Sequence, residues 1–240
     1  MRFLSAGDSA LVIEFGNEIS EAINREIRFV TDAIDKAKLA GVLDLVPTYR
    51  SILVNFDPLK LPASGIMDFV KELLKNRTES SFSSTGEVVE IPVLYGGKMG
   101  PDLDFICEHT KLGKDEVIRR HCSVEYLVYM LGFTPGFAYL GGMPKELSTP
   151  RLPKPRAVIP AGSVGIAASQ TGIYPVESPG GWQLMGRTPL KIFDYGRREP
   201  FLLSAGDYLK FVPVSEEQYA AIEKAENEGR YIPKRTRKAG

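Results

Sequence analysis

Ile19, Ile23, Ile27, Val30 and Ile34 recur at steps of four, four, three and four, which lines them along one face of a helix. The spacing predicts a helix from about Ser20 to Leu39, capped by Ser20 and stopped by Gly41. Ahead of it, Ala10 to Ile13 is an apolar run closed by a turn at Gly16 and Asn17, the pattern of a strand. Beyond it, Val42 to Val46 and Ser51 to Phe56 read as two strands joined through Pro47. A second helix is expected from about Ser64 to Lys75, with Ile66, Phe69, Val70, Leu73 and Leu74 turned inward. The order β-β-α-β-β-α implies a small sheet with its helices on one side.

From Asn76 to Gly86 the chain is polar and rich in Ser and Thr, with only Phe82 to bury, which marks a boundary between domains. The expected organisation is an α/β domain over 1–80, a linker over 81–87 and a second domain over 88–240. The second domain opens with a strand at Val88 to Tyr95 and two amphipathic helices, about Asp102 to Thr110 and Lys114 to Cys122. From Val124 the helical period vanishes, and about a third of the residues between Gly132 and Pro189 are Gly or Pro, against roughly 12% in an ordinary chain. Ala157 to Ile159, Val164 to Ala167, Leu190 to Phe193 and Tyr208 to Val212 are short apolar runs between those breakers. Many short strands with tight turns mean a barrel or sandwich, so the fold class is α+β. A surface helix capped by Ser215 and a solvated basic tail, Lys234 to Lys238, complete the chain.

Composition narrows the chemistry. Lys plus Arg and Asp plus Glu each number 30, so no global positive field exists to hold nucleic acid or an anionic membrane. No apolar run approaches the ~18 residues of a membrane span, and residues 1–15 lack the plan of a secretion signal, which gives a cytoplasmic protein as the expectation. The two histidines, His109 and His121, both precede the Gly/Pro-rich region, so a Ser-His-Asp site cannot be built wholly within it. Cys107, His109, His121 and Cys122 are acceptable metal ligands, but residues two apart on a helix point about 200° apart, and no metal site is expected. Gly97-Lys98 and Gly113-Lys114 are followed by Met99 and Asp115 rather than Ser or Thr, so neither is a phosphate-cradling loop. Ser163 lies in a poor imitation of a nucleophile elbow, Ala161-Gly162-Ser163-Val164-Gly165, and reads as a buried turn serine.

Two stretches, Gly132 to Gly142 and Pro155 to Pro189, concentrate residues of special backbone geometry. Such loops can present Arg151, Arg156, Gln170, Thr171, Ser178, Gln183 and Arg187 at a barrel mouth. Arginine offers a planar fork for a carboxylate, and Gln or Ser can orient an amide. Equally, the arginines can be solvated or paired with Glu177 and Asp194, the glutamines can close turns, and Phe137 and Trp182 can be core. Composition leaves the two readings balanced.

The same stretches, together with Ala10 to Phe15 and Pro47-x-Tyr49-Arg50-Ser51, strongly resemble the family of the 5-oxoprolinase B subunit, also known as allophanate hydrolase subunit 1, which includes the inhibitor of a sporulation histidine kinase. Departures are small: Ala168 stands where a glycine is expected and Met185 where isoleucine or leucine is. The resemblance implies a small α/β N-terminal domain followed by a cyclophilin-like β-barrel. It implies a subunit of an ATP-dependent enzyme that opens 5-oxo-L-proline to L-glutamate, working with 5-oxoprolinase subunits C and A, with ATP bound in the assembled complex. In that setting Arg151, Arg156 or Arg187 would hold the substrate carboxylate. Gln170, Thr171, Ser178 and Gln183 would hydrogen-bond the ring amide or a phosphate. Glu177, Asp194 and Asp207 are the nearby candidate bases, Asp207 reading better as a turn residue, and the catalytic residues themselves are unassigned. Two alternatives stand beside this reading: an inhibitor that docks on a histidine kinase, and an accessory chain of an allophanate- or urea-processing hydrolase.

Overall fold

A computed structural model describes residues 1–77 and 86–238 of the chain. The linker expected over 81–87, with Phe82, lies for the most part outside the described residues. The chain divides into two compact units, residues 1–84 and 85–240.

In the first unit β1 (Arg2–Ser5), β2 (Ala10–Glu14), β4 (Ser51–Phe56) and β3 (Val42–Pro47) form an antiparallel sheet in the order β1-β2-β4-β3. Burial alternates along β2 and β4, so one face carries Leu11, Ile13, Ile52, Val54 and Phe56 while the other stays wetter. Helices α1 (Glu21–Ala37) and α2 (Ala63–Lys75) cover that face with Ile27, Val30 and Ile34 from α1 and Ile66 and Val70 from α2. Ser20 caps α1 by accepting the Ile23 N–H at 3.2 Å. The helix ends ahead of Leu39 because Lys38 turns left-handed at φ 46°.

The second unit is a nearly closed, barrel-like sheet. It contains β5 (Glu87–Tyr95), β6 (Tyr126–Leu131), β7 (Ala138–Gly141), β9 (Ser163–Ala167), β10 (Gln170–Ile173), β12 (Gln183–Arg187) and β13 (Tyr208–Pro213). Their order is β10-β9-β12-β5-β13-β6-β7, with the end strands β7 and β10 approaching one another. β13 runs parallel to β5, pairing Tyr208 with Val88 through to Pro213 with Val93, and the other ladders are antiparallel. β8 (Arg156–Ile159) and β11 (Ser178–Gly180) form a separate short pair. Helices α3 (Leu103–Thr110) and α4 (Lys114–Cys122) and the barrel strands share a core that includes Ile91, Ile106, Val117, Tyr126, Met185 and Phe211. α5 (Glu216–Asn227) opens with a reciprocal capping box between Ser215 and Gln218.

Two expectations are corrected. Leu190 to Phe193 is not a strand: Leu190 and Ile192 are core, the Lys191 N–H donates to Glu226 Oε1 at 2.9 Å, and pairing with the neighbouring segment stops at a single antiparallel bridge, Phe193 with Phe201, where the Leu202 N–H donates to the Ile192 carbonyl at 3.0 Å. The basic tail is not simply solvated. Arg235–Arg237 forms β14, which pairs antiparallel with the first residues of β5, and Lys234 and Arg235 reach Glu90 and Glu87 at 2.7 and 2.9 Å. Charges of opposite sign on the two strands select this pairing.

Candidate functional site

β10 has two faces. Thr171 and Ile173 point into the core, whereas Gln170, Gly172 and Tyr174, two residues apart, share the other side. That second side is the floor of a half-open cavity of about 240 Å³. Trp182 lies directly over Gly172, where a Cβ would come within 3.1 Å of the indole ring; the missing side chain is what lets the ring sit so low. Phe137 meets Trp182 edge to face at 5.9 Å and 81°, Tyr174 meets Trp182 at 5.9 Å, and Tyr139 meets Phe137 at 5.1 Å. These contacts brace each ring with another. Phe133 stands at the rim with φ 68° and 86% of its surface exposed. A left-handed backbone at a bulky residue costs about 1–2 kcal/mol, so the loop spends stability to hold this ring outward.

The polar groups of the cavity are few. Arg151 is exposed at the mouth, and among the described residues no carboxylate pairs with it. Gln170 supplies an amide and Tyr139 and Tyr174 a phenol each. Burial raises the Tyr174 pKa, opposed by the Trp182 backbone and by the positive charges of Arg151 and Arg156, so the phenol stays protonated. No carboxylate or imidazole lines the cavity among the described residues. Such a site can hold a small anion with a planar body, but it brings no general base of its own.

The other expected site residues are placed elsewhere. Arg156 donates to Asp102 Oδ1 at 2.7 Å and lies 3.4 Å from the Trp182 carbonyl, so it braces the wall from outside. Thr171 is buried behind the floor and bonds His121. Gln183 is buried and donates to the Pro150 carbonyl at 3.0 Å. Arg187 donates to the Ala161 carbonyl at 2.9 Å, and Ser178 to the Val176 carbonyl at 3.3 Å. Ser163 donates to the Pro160 carbonyl at 2.7 Å, a buried turn serine as expected. Asp207 accepts the Ser204 N–H at 2.9 Å and is a turn residue, while Asp194 faces Lys191 and Arg197. The described residues contain no cluster of three or more metal-ligating side chains. Phe133, Tyr139 and Tyr174 were not among the expected site residues. The alternation Gln170, Gly172, Tyr174 was the available signal for the last of them.

A larger groove, about 600 Å³, lies in the first unit between α1 and β3 and is lined by Asp32, Asp35, Lys38 and Asp44. Its one cation among the described residues, Lys38, is paired with Asp35 at 2.8 Å. It offers an anion nothing comparable to Arg151.

Residues 1–203 match the family described as carboxyltransferase domain, subdomain C and D. The chain is 42% identical over 231 residues to the 5-oxoprolinase B subunit of Bacillus subtilis, covering 92% of this chain and 96% of that one. Its fold matches the crystal structure of TTHA0988 with a TM-score of 0.76 and 37% identity, over 86% of this chain but 40% of that one. It also matches the Kluyveromyces lactis urea carboxylase with a TM-score of 0.77 at 20% identity, over 98% of this chain and 24% of that one. The same fold therefore stands alone in one relative and forms part of a longer chain in others.

Proposed function

The chain belongs to the carboxyltransferase family of subdomains C and D, and from that premise we propose that it is the B subunit of an ATP-dependent 5-oxoprolinase. The observation that carries this reading is Arg151, a guanidinium without a carboxylate partner among the described residues, set beside Gln170 at the mouth of an aromatic cavity. 5-Oxo-L-proline has the matching parts: a compact five-membered ring, one carboxylate and one planar lactam. The carboxylate lies against Arg151, the lactam hydrogen-bonds the Gln170 amide, and the ring packs among Phe137, Tyr174 and Trp182. The aromatic wall keeps bulk water from the ring face, which strengthens both polar contacts.

A lactam resists water because its carbonyl carbon is a poor electrophile. Phosphorylation of the amide oxygen by ATP removes that resistance, and water then opens the ring to L-glutamate with release of phosphate. This chain has no Gly-Lys-Ser/Thr loop and no base in the cavity among the described residues, so ATP and the proton acceptor are assigned to partner subunits A and C. The role of this chain is to hold and orient the lactam.

Arg151→Ala tests the reading in the reconstituted assembly. Loss of a charge-assisted contact predicts a KM for 5-oxoproline raised about 10- to 100-fold. An unchanged KM overturns the assignment. A second reading, inhibition of a histidine kinase by docking, is favoured by the exposed ring of Phe133 at the rim, since outward aromatic residues are common anchors at protein interfaces.

A further inference from the structure

His121 takes no part in the cavity, yet it is fully buried and every polar atom of its imidazole is used. Nδ1 lies 2.8 Å from the Tyr95 hydroxyl and Nε2 lies 2.8 Å from Thr171 Oγ1. The ring stacks on Phe211 at 4.3 Å and 23°, and its own carbonyl accepts the Tyr126 hydroxyl at 2.8 Å. The side chain thus joins α4, β5 and β13 to β10 across the interior.

The protons in this chain of bonds can be counted. Thr171 has one hydroxyl proton and gives it to the Gly165 carbonyl at 3.1 Å. Thr171 therefore accepts from His121, which requires Nε2–H. A neutral imidazole carries one N–H, so Nδ1 accepts the Tyr95 proton, and Tyr95 can in turn accept from the Cys122 thiol at 3.4 Å. Burial keeps the ring neutral, with its pKa pushed down to about 3.

We infer that His121, as the neutral Nε2–H imidazole, is a positioning residue for the cavity, acting through Thr171 to fix the floor strand β10. β10 ends the sheet order and takes its ladder from β9 alone among the described strands. Its two faces are rigidly linked: whatever tethers Thr171 from inside sets the height of Gln170 and Gly172 outside, and hence the seat of Trp182. The importance of this height rests on the cavity being the ligand site, whereas the tether does not.

Trp182 is the single tryptophan of the chain, so its fluorescence reads the cavity directly. Thr171→Val removes the hydroxyl and keeps the shape; Thr171→Ser keeps the hydroxyl. In the full-length chain, Thr171→Val is expected to red-shift Trp182 emission and raise acrylamide quenching about twofold or more. It should also weaken 5-oxo-L-proline about three- to tenfold, with Thr171→Ser restoring wild-type behaviour. Trp182 emission and quenching unmoved in a folded Thr171→Val, or a folded Thr171→Ser that fails to restore them, overturns the inference. Nitrogen-15 NMR of the wild type is independent of any variant: the chain has only His109 and His121, and an Nδ1–H signal from His121 also overturns it. If Trp182 responds as described but wild-type protein and assembly do not bind 5-oxo-L-proline, the tether stands and the proposed substrate falls.

Discussion

Ala168 holds the first position of the two-residue loop between β9 and β10 at φ 50°, a conformation in which a Cβ is crowded and glycine is preferred. The expectation of glycine there, drawn from resemblance, thus has a backbone cause. Ala168→Gly should stabilise the protein by about 0.5–1 kcal/mol, the relieved strain being partly offset by the greater freedom of glycine in the unfolded chain. A rise in the thermal midpoint checks this. His121 gives a second prediction at the same scale. Its folded pKa is about 3 while an unfolded histidine titrates near 6.5, so between those values the unfolded state binds the extra proton and stability falls with falling pH. Urea unfolding at pH 7 and pH 5 should differ by about 2 kcal/mol from this group, the pH 5 protein being weaker. Equal stabilities would mean that His121 is protonated in the folded protein. Residues of this kind are poorly legible in a sequence. Thr171, Gln183 and Arg187 have the right chemistry for a ligand, but each is spent on a protein partner that only folding supplies.

Among the elements, α3 is tied to the cavity wall by one carboxylate. Asp102, at the N-terminus of α3, accepts Arg156 Nη2 on Oδ1 and the Leu184 N–H on Oδ2, both at 2.7 Å, joining the helix to β8 and β12 on either side of Trp182. Asp102→Ala would strand a guanidinium and a backbone N–H in a partly buried place, for a loss of about 2 kcal/mol in urea or thermal unfolding. Asp102→Asn, which keeps an acceptor, should lose less. α1 to α4 were legible because periodicity is local: Ile27, Val30 and Ile34 face inward for reasons written within the helix itself. Leu190 to Phe193 and Arg235 to Arg237 were not, because their state depends on partners that periodicity does not show: Glu226 and the single bridge to Phe201 in one case, β5 in the other. The aromatic cavity was hidden for a related reason. Phe137 and Trp182 look the same in a sequence whether they fill a core or line a pocket, and their distinction depends on Gly172 lying beneath the indole.

On the scale of the whole molecule, each unit keeps its own core, with Leu11, Ile27 and Ile52 in one and Ile91, Tyr126 and Phe211 in the other. The aromatic cavity is lined entirely by residues of the second. If the proposed function holds, native affinity purification from the source cells should recover two further subunits that together release glutamate from 5-oxoproline when ATP is added. Recovery of a histidine kinase in their place would favour the docking reading. The parallel pair β5 and β13 has a consequence of its own. Val88 meets Tyr208, and every strand of the cavity, from β7 to β12, is threaded between these two partners. Closing so long a loop adds little to the equilibrium cost, which grows only with the logarithm of its length. The rate is another matter, because a pairing so distant along the chain must meet its closure entropy before its contacts repay it, which slows folding. Until that pairing forms, the segments that line the aromatic cavity lack the frame that orients them, so the shape of the cavity depends on the slowest kind of contact in the unit.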